Sequence, residues 1–190
     1  MASVLEKLER AVIAGFVLAA ILFWLLVRPA AFDHGYWTFF MRWLHVLSGV
    51  MWIGLLWYFN FVQIPTMPKV PAELKPGVSK YIAPEALFWF RWAALATVVT
   101  GLLVASMNGY LGNALTLTKG VHAIGIGMWL ALVMAFNVWF IIWPNQKKAL
   151  GIVAVSADEK AAAAKLAGMT SRSEEHTSEL QSHHDLVCRL

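Results

Sequence analysis

Charged residues are scarce in this chain: 11 acidic and 15 basic side chains make up 14% of its 190 residues. A soluble domain usually carries about 25%, so this chain is not expected to fold against water. Cysteine is scarcer still. Cys188 is the only one, and it lies in a stretch that does not read as natural protein. From Arg172 the sequence runs RSEEHTSELQS and then HHDLVCRL, which looks like the in-frame translation of a common short-read sequencing adapter. The composition also changes abruptly there, from an Ala-rich stretch to a polar one with four acids and three of the six histidines. Residues 172–190 are therefore set aside. The remainder has no cysteine, which excludes disulfides, thiolate metal sites, a cysteine nucleophile and a C-x-x-C-H haem attachment. Leaving out Arg172, Arg189, Glu174, Glu175, Glu179 and Asp185 gives 13 basic against 7 acidic residues, a net +6 rather than +4. The natural chain is expected to run on past residue 171, into a fifth span that is missing here.

Other absences narrow the function. The sequence has no phosphate-binding Gly-rich loop, no Ser-His-Asp arrangement and no paired-carboxylate site. Its basic excess follows a membrane asymmetry described below, which gives no reason to expect nucleic-acid binding.

What the chain has is apolar length: 59% of it is hydrophobic, with 10 Trp. A bilayer core about 30 Å thick needs about 20 such residues in a helix. Arg10 and Arg28 bracket a first charge-free stretch, 11–27, read as a retained helix and not as a cleaved signal. A second span covers about 36–62 and holds one charge, Arg42; Pro65, Pro68, Pro71 and Pro76 are expected to break the helix after it. The third covers about 86–108, with Arg91 inside it. The fourth covers 120–143, where Pro144 and Asn145-Gln146-Lys147-Lys148 are expected to stop it. The fold expected is an all-α, polytopic transmembrane bundle of residues 1–152, followed by a juxtamembrane segment, 153–171. Lys7, Arg10, Lys69, Lys75, Lys80, Lys147 and Lys148 fall on one side, against Arg28 and Lys119 on the other. The positive-inside rule then makes the N-terminus, the Pro-rich loop and residues 153–171 cytoplasmic.

The second span carries the candidate chemistry. Arg42 and His45 are three apart and share a helix face, followed along it by Ser48, Gly49 and Trp52. Ionisable residues inside a span are costly and mark function by default. Gly49, one turn after His45, leaves room for a flat macrocycle. His45 is thus a candidate axial ligand of haem iron, with Arg42 pairing a propionate. The competing reading is a histidine bonded to a neighbouring helix backbone, with Arg42 reaching outward. His45 lies about 14 Å below Tyr36 along the helix. His122 opens the fourth span at a shallower level, so it is either a second iron ligand on a tilted helix or an interfacial residue. Gly125 and Gly127 permit close helix contact there. Glu85 and Arg91, six apart, do not meet on one helix face, and Asn137 is read as interhelical glue.

Three stretches carry a resemblance: RWLHVLSGVMWIGLLWYFNF, APEALFWFRWAALATVVTGLL and NVWFIIWPNQKKALG. Over about residues 36–152 the chain resembles the membrane domain of bacterial urate hydroxylases of the PuuD type. His45, Gly49, Trp52 and Gly54 match the family pattern, and Arg42 precedes it in the matched stretch. More loosely, the His-bearing helix is similar to small haem-linked membrane proteins that oxidise protoporphyrinogen. The urate hydroxylase resemblance implies oxidation of urate to 5-hydroxyisourate in a bacterial inner membrane, with electrons passing to a c-type cytochrome. It also implies Arg42 or Arg91 as the group holding an anionic purine. Long family members carry a C-terminal cytochrome c domain, whose C-x-x-C-H is not in this sequence.

Three readings follow: a urate hydroxylase-like redox protein with haem b, a haem-binding electron-transfer subunit with no substrate of its own, and a non-catalytic transporter or assembly subunit. The choice of urate rests on resemblance alone.

Overall fold

The computed structural model describes residues 7–26 and 32–170, and every regular element among them is helical. Arg28, the end of the first expected span, and the adapter-like tail with Cys188 lie outside the described residues. The chain divides into two compact units, Met1–Phe39 and Phe40–Leu190. Four of its helices are long and apolar enough to cross a membrane. The protein is an all-α, polytopic membrane protein.

The first unit holds α1 (Leu8–Leu26) and the start of α2 (His34–Trp57). No described side chain of α1 is buried, and its large apolar groups, Phe16 and Trp24 among them, are exposed. Only lipid makes such a surface stable, because a helix satisfies its own backbone groups and leaves apolar side chains outward. Asp33 caps α2, its carboxylate accepting from the Tyr36 N–H at 2.8 Å. Phe32, Tyr36 and Trp37 gather with Phe23 in a cluster of ring contacts.

The second unit is built on three long helices. α2 runs on past Trp57 to Lys69, α3 (Ala83–Met107) is entered from Lys75, and α5 (His122–Phe136) continues to Ala149. Between α3 and α5 lies the short α4 (Leu111–Leu115). Residues 157–170 form a last helix, α6, capped by Ser156, whose Oγ accepts from the Glu159 N–H.

Of the expected proline breaks only the one at Pro71 occurs: the helix ends at Lys69, and Val70 before the ring is extended. Each long helix instead widens into a π-turn just before its proline: Tyr58–Gln63 before Pro65, Val78–Ile82 before Pro84, and Asn137–Ile142 before Pro144. In every case the turn ends two residues ahead of the ring. Proline lacks an N–H and its ring collides with the carbonyl four residues back. The wider i→i+5 turn relieves that collision and lets the helix continue. So the second and fourth spans overrun their expected ends at residues 62 and 143. The loop at the lysine-bearing end is reduced to a short turn around Pro71–Leu74.

The contiguous buried cluster of this unit lies in the lysine-bearing half of the three helices. Trp52, Leu56 and Phe59 of α2 meet Leu87, Phe90 and Ala94 of α3 and Met134, Val138 and Ile142 of α5. Toward the other end, with the loop of residues 108–121, the packing opens.

Candidate functional site

In that open half, α2, α3 and α5 border a half-open cavity of about 590 Å³. This falls in the range of small-molecule sites, roughly 300–1,000 Å³. His45 and Gly49 line it from α2, Thr97 and Gly101 from α3, Gly127 and Met128 from α5, and Tyr110 from the connecting loop.

His45 is held from the opposite helix. Its Nδ1 lies 2.9 Å from the Thr97 carbonyl and 3.3 Å from the Thr100 Oγ1. A carbonyl only accepts, so Nδ1 carries the proton and donates it. The Thr100 hydroxyl is itself committed to the Ala96 carbonyl at 2.6 Å, and Thr97 to that of Ala93 at 2.7 Å. Nε2 makes no hydrogen bond with any described residue, and in the neutral ring it bears the lone pair. The backbone bond expected of a structural histidine is therefore present. It is also the bond by which ligating histidines usually fix their tautomer, through the ring nitrogen away from the metal. The bond alone does not separate the two readings; the cavity in front of the ring favours the second.

The ring lies flat against Gly101. A Cβ there would sit 2.8 Å from His45 Cε1 and 3.1 Å from Nδ1. Gly49, by contrast, would place a Cβ 3.8 Å from Thr97 Cγ2, an ordinary contact. Trp52 is buried with 2% exposure at the base of the cavity, and its Nε1–H has no partner among the described residues.

The other expected site residues lie apart. Arg42 is exposed on α2 and bonds no described residue, as a cation reaching outward does. His122 is exposed at the start of α5, outside the cavity lining. The two histidines are not brought together across it. Gly125 packs against the Ala114 carbonyl of α4, where a side chain has no room. Glu85 is exposed and accepts from Trp89 Nε1 at 3.2 Å. Asn137 opens a π-turn and bonds no described residue across helices.

Arg91 belongs to a second polar layer, in the lysine-bearing half. It is 7% exposed, its guanidinium lies 3.4 Å over the Trp143 ring, and it has no ion pair among the described residues. Nη1 is buried without a hydrogen-bond partner, as are Asn60 Nδ2 and Oδ1, Gln63 Oε1, Trp139 Nε1 and Gln146 Oε1.

Sequence reasoning missed Thr97, Thr100 and Gly101. The signal was the spacing in TVVTG, which puts two hydroxyls and a glycine on one face of α3. It also missed Asn60, Gln63 and Gln146, whose burial depends on helices running through their prolines.

The chain matches no protein-family model, no curated protein and no solved structure.

Proposed function

We propose that the protein is a membrane-embedded redox protein that binds haem b in the His45 cavity and acts as a urate hydroxylase-like enzyme. The observation that carries this is His45: Nδ1 committed to the Thr97 carbonyl and Nε2 left unbonded beside a cavity of about 590 Å³. The residues fit the group. A b-type haem needs one or two axial donors from the protein and no thioether cysteines. Here Nε2 of His45 would supply one such donor, and Gly49 leaves the adjoining wall without a side chain. His122 remains a candidate for the second position only through movement of α5, and Arg42 for a propionate only at the cavity rim.

Haem bound there would supply a one-electron acceptor. Conversion of urate to 5-hydroxyisourate takes up one water and releases two electrons and two protons, so an acceptor must turn over twice. The electrons would leave for a c-type cytochrome. The lysine asymmetry supports an orientation with the N-terminus and the lysine-bearing end in the cytoplasm of a bacterial cell. The cavity then lies in the outer half of the membrane, on the side where such a cytochrome docks.

The test is a reduced-minus-oxidised optical spectrum of detergent-purified protein ending at Ser171, beside the His45→Ala variant. A b-type signal that His45→Ala abolishes supports the reading, and reduction of that signal by urate supports the substrate. A signal that urate leaves unchanged favours an electron-transfer subunit. With no signal after haem supplementation, the redox reading fails and a transporter or assembly role takes its place.

A further inference from the structure

Haem iron held by His45 keeps a second axial position on the far face of the macrocycle. Of the described side chains that line the cavity, three carry an atom of the kind that ligates haem iron: His45, Tyr110 and Met128. Met128 is half-buried on α5, across the cavity from α2.

Ring contacts set the level of α2 and α5 against α3. Phe59 meets Phe90 at 5.9 Å, and Trp139 meets Trp92 at 5.7 Å. α2 and α5 both run toward the lysine-bearing end and α3 away from it, so the two contacts are of one kind. His45 lies fourteen residues before Phe59, and Met128 eleven before Trp139. At 1.5 Å per residue, His45 is about 21 Å from its ring contact toward the open end. Met128 is about 17 Å from the other contact, which itself sits about 3 Å further along α3. The two residues are therefore level to within about 2 Å along the helices.

The rotation of α5 is fixed from another side. Gly125 packs against the Ala114 carbonyl, and Trp129 Nε1–H donates to the Leu115 carbonyl at 3.0 Å. With that face pinned on α4, the neighbouring face turns Ile124, Met128 and Ala131 to the cavity. His122 precedes Ala131 by nine residues, about two and a half turns, and so lies on the opposite side of α5. Bringing His122 inward would turn α5 by about half a turn and break both contacts with α4.

We propose that Met128 Sδ is the second axial ligand, so that α2 and α5 hold the haem between His45 and Met128; this rests on the haem reading. The thioether donates a lone pair as it stands: one iron–sulfur bond forms, no electron is transferred and no proton leaves. Tyr110 would ligate as phenolate and must first lose a proton. Among the described lining residues the one base is His45, already committed to the iron. A soft thioether also favours ferrous over ferric iron and raises the reduction potential, as suits a haem that takes electrons from an organic substrate.

The experiment is spectroscopy of the full chain, expressed with added haem and purified in detergent, beside Met128→Leu, Met128→His and His122→Ala. The ferric protein should show the weak near-infrared charge-transfer band of a thioether on low-spin haem iron. Met128→Leu nearly conserves volume. It should abolish that band, lower the midpoint potential in a redox titration and open the ferrous iron to carbon monoxide. Met128→His should restore a six-coordinate low-spin spectrum without the band, again at lower potential. His122→Ala should change none of these. A b-type spectrum that lacks the band, or ignores Met128→Leu, would overturn the assignment and leave the haem reading standing. So would a second ligand that disappears with His122→Ala. No b-type signal in any sample sinks the haem reading, and the ligand with it.

Discussion

The same three helices solve two different problems at their two ends. Around His45 they stand apart, leave a cavity and satisfy most of their polar side chains locally, Trp52 Nε1–H excepted: Thr97 and Thr100 bond back to their own helix, and His45 bonds to Thr97. Around Arg91 they close into a core, yet trap a cation and four amide or indole side chains without partners. The two regions are only about 9 Å apart along α3, counting six residues from Arg91 to Thr97 at 1.5 Å each. An open region that is satisfied needs a ligand to fill space. A closed region that is unsatisfied has no such room, and its polar groups carry a stability cost instead.

The sharpest way to break this comparison is His45→Ala. It removes the one unbonded imidazole lone pair at the cavity, so nearly all haem should be lost from purified protein, while the helix content and melting temperature set by the Arg91 end stay as they were. Loss of both at once would mean that the two regions do not fold independently. Next in size is Gly101→Ala. Its Cβ would meet the His45 ring at 2.8 Å, and the ring cannot retreat without giving up the Thr97 carbonyl. Overpacking of this kind costs about 1–3 kcal/mol. Thermal unfolding followed by circular dichroism should shift down accordingly, and haem occupancy should fall with it. Unchanged occupancy would show that the ring is free to turn and that its tautomer is not fixed by α3.

At the other end, Trp143→Leu removes the ring under Arg91 while keeping apolar bulk. The desolvated cation–π contact is worth about 2 kcal/mol, so stability in thermal unfolding should fall by about that amount. The haem spectrum should not change. A spectral change would break the proposed independence of the two regions.

How much of this could be read beforehand follows from what each feature depends on. The four spans and the all-α class rest on apolar length, which is local, and were legible. Arg42, His45, Ser48, Gly49 and Trp52 were legible as a helix face, because 3.6 residues per turn needs no partner. Arg42 shows the limit of that logic: it is on nearly the same face as His45, one turn nearer the open end, yet it is exposed. The partners of His45 come from a helix 52 positions later, and no spacing along α2 reveals them. The prolines misled for a reason that is also local. Pro65 and Pro144 were read as stops, and the π-turns that carry the helices through them placed Gln63 and Gln146 in the interior.

The smallest expected effect separates the glycine singled out by sequence from the one found by structure. Gly49→Ala adds a methyl 3.8 Å from Thr97 Cγ2, a contact that requires nothing to move. Alanine also favours a helix interior by about 0.5–1 kcal/mol over glycine. The apoprotein should be unchanged or slightly more stable. The methyl nevertheless stands on the cavity wall, so haem affinity should drop a few-fold if the macrocycle lies against α2 at that level. A haem titration of apoprotein in detergent, beside the melting curve, tells the cases apart. Weaker haem with an intact melt places the ring plane over Gly49. A weaker melt as well means that α2 and α3 approach more closely there than 3.8 Å allows. Unchanged haem puts the macrocycle toward Tyr110 and Met128, leaving Gly101 as the glycine that positions the ligand.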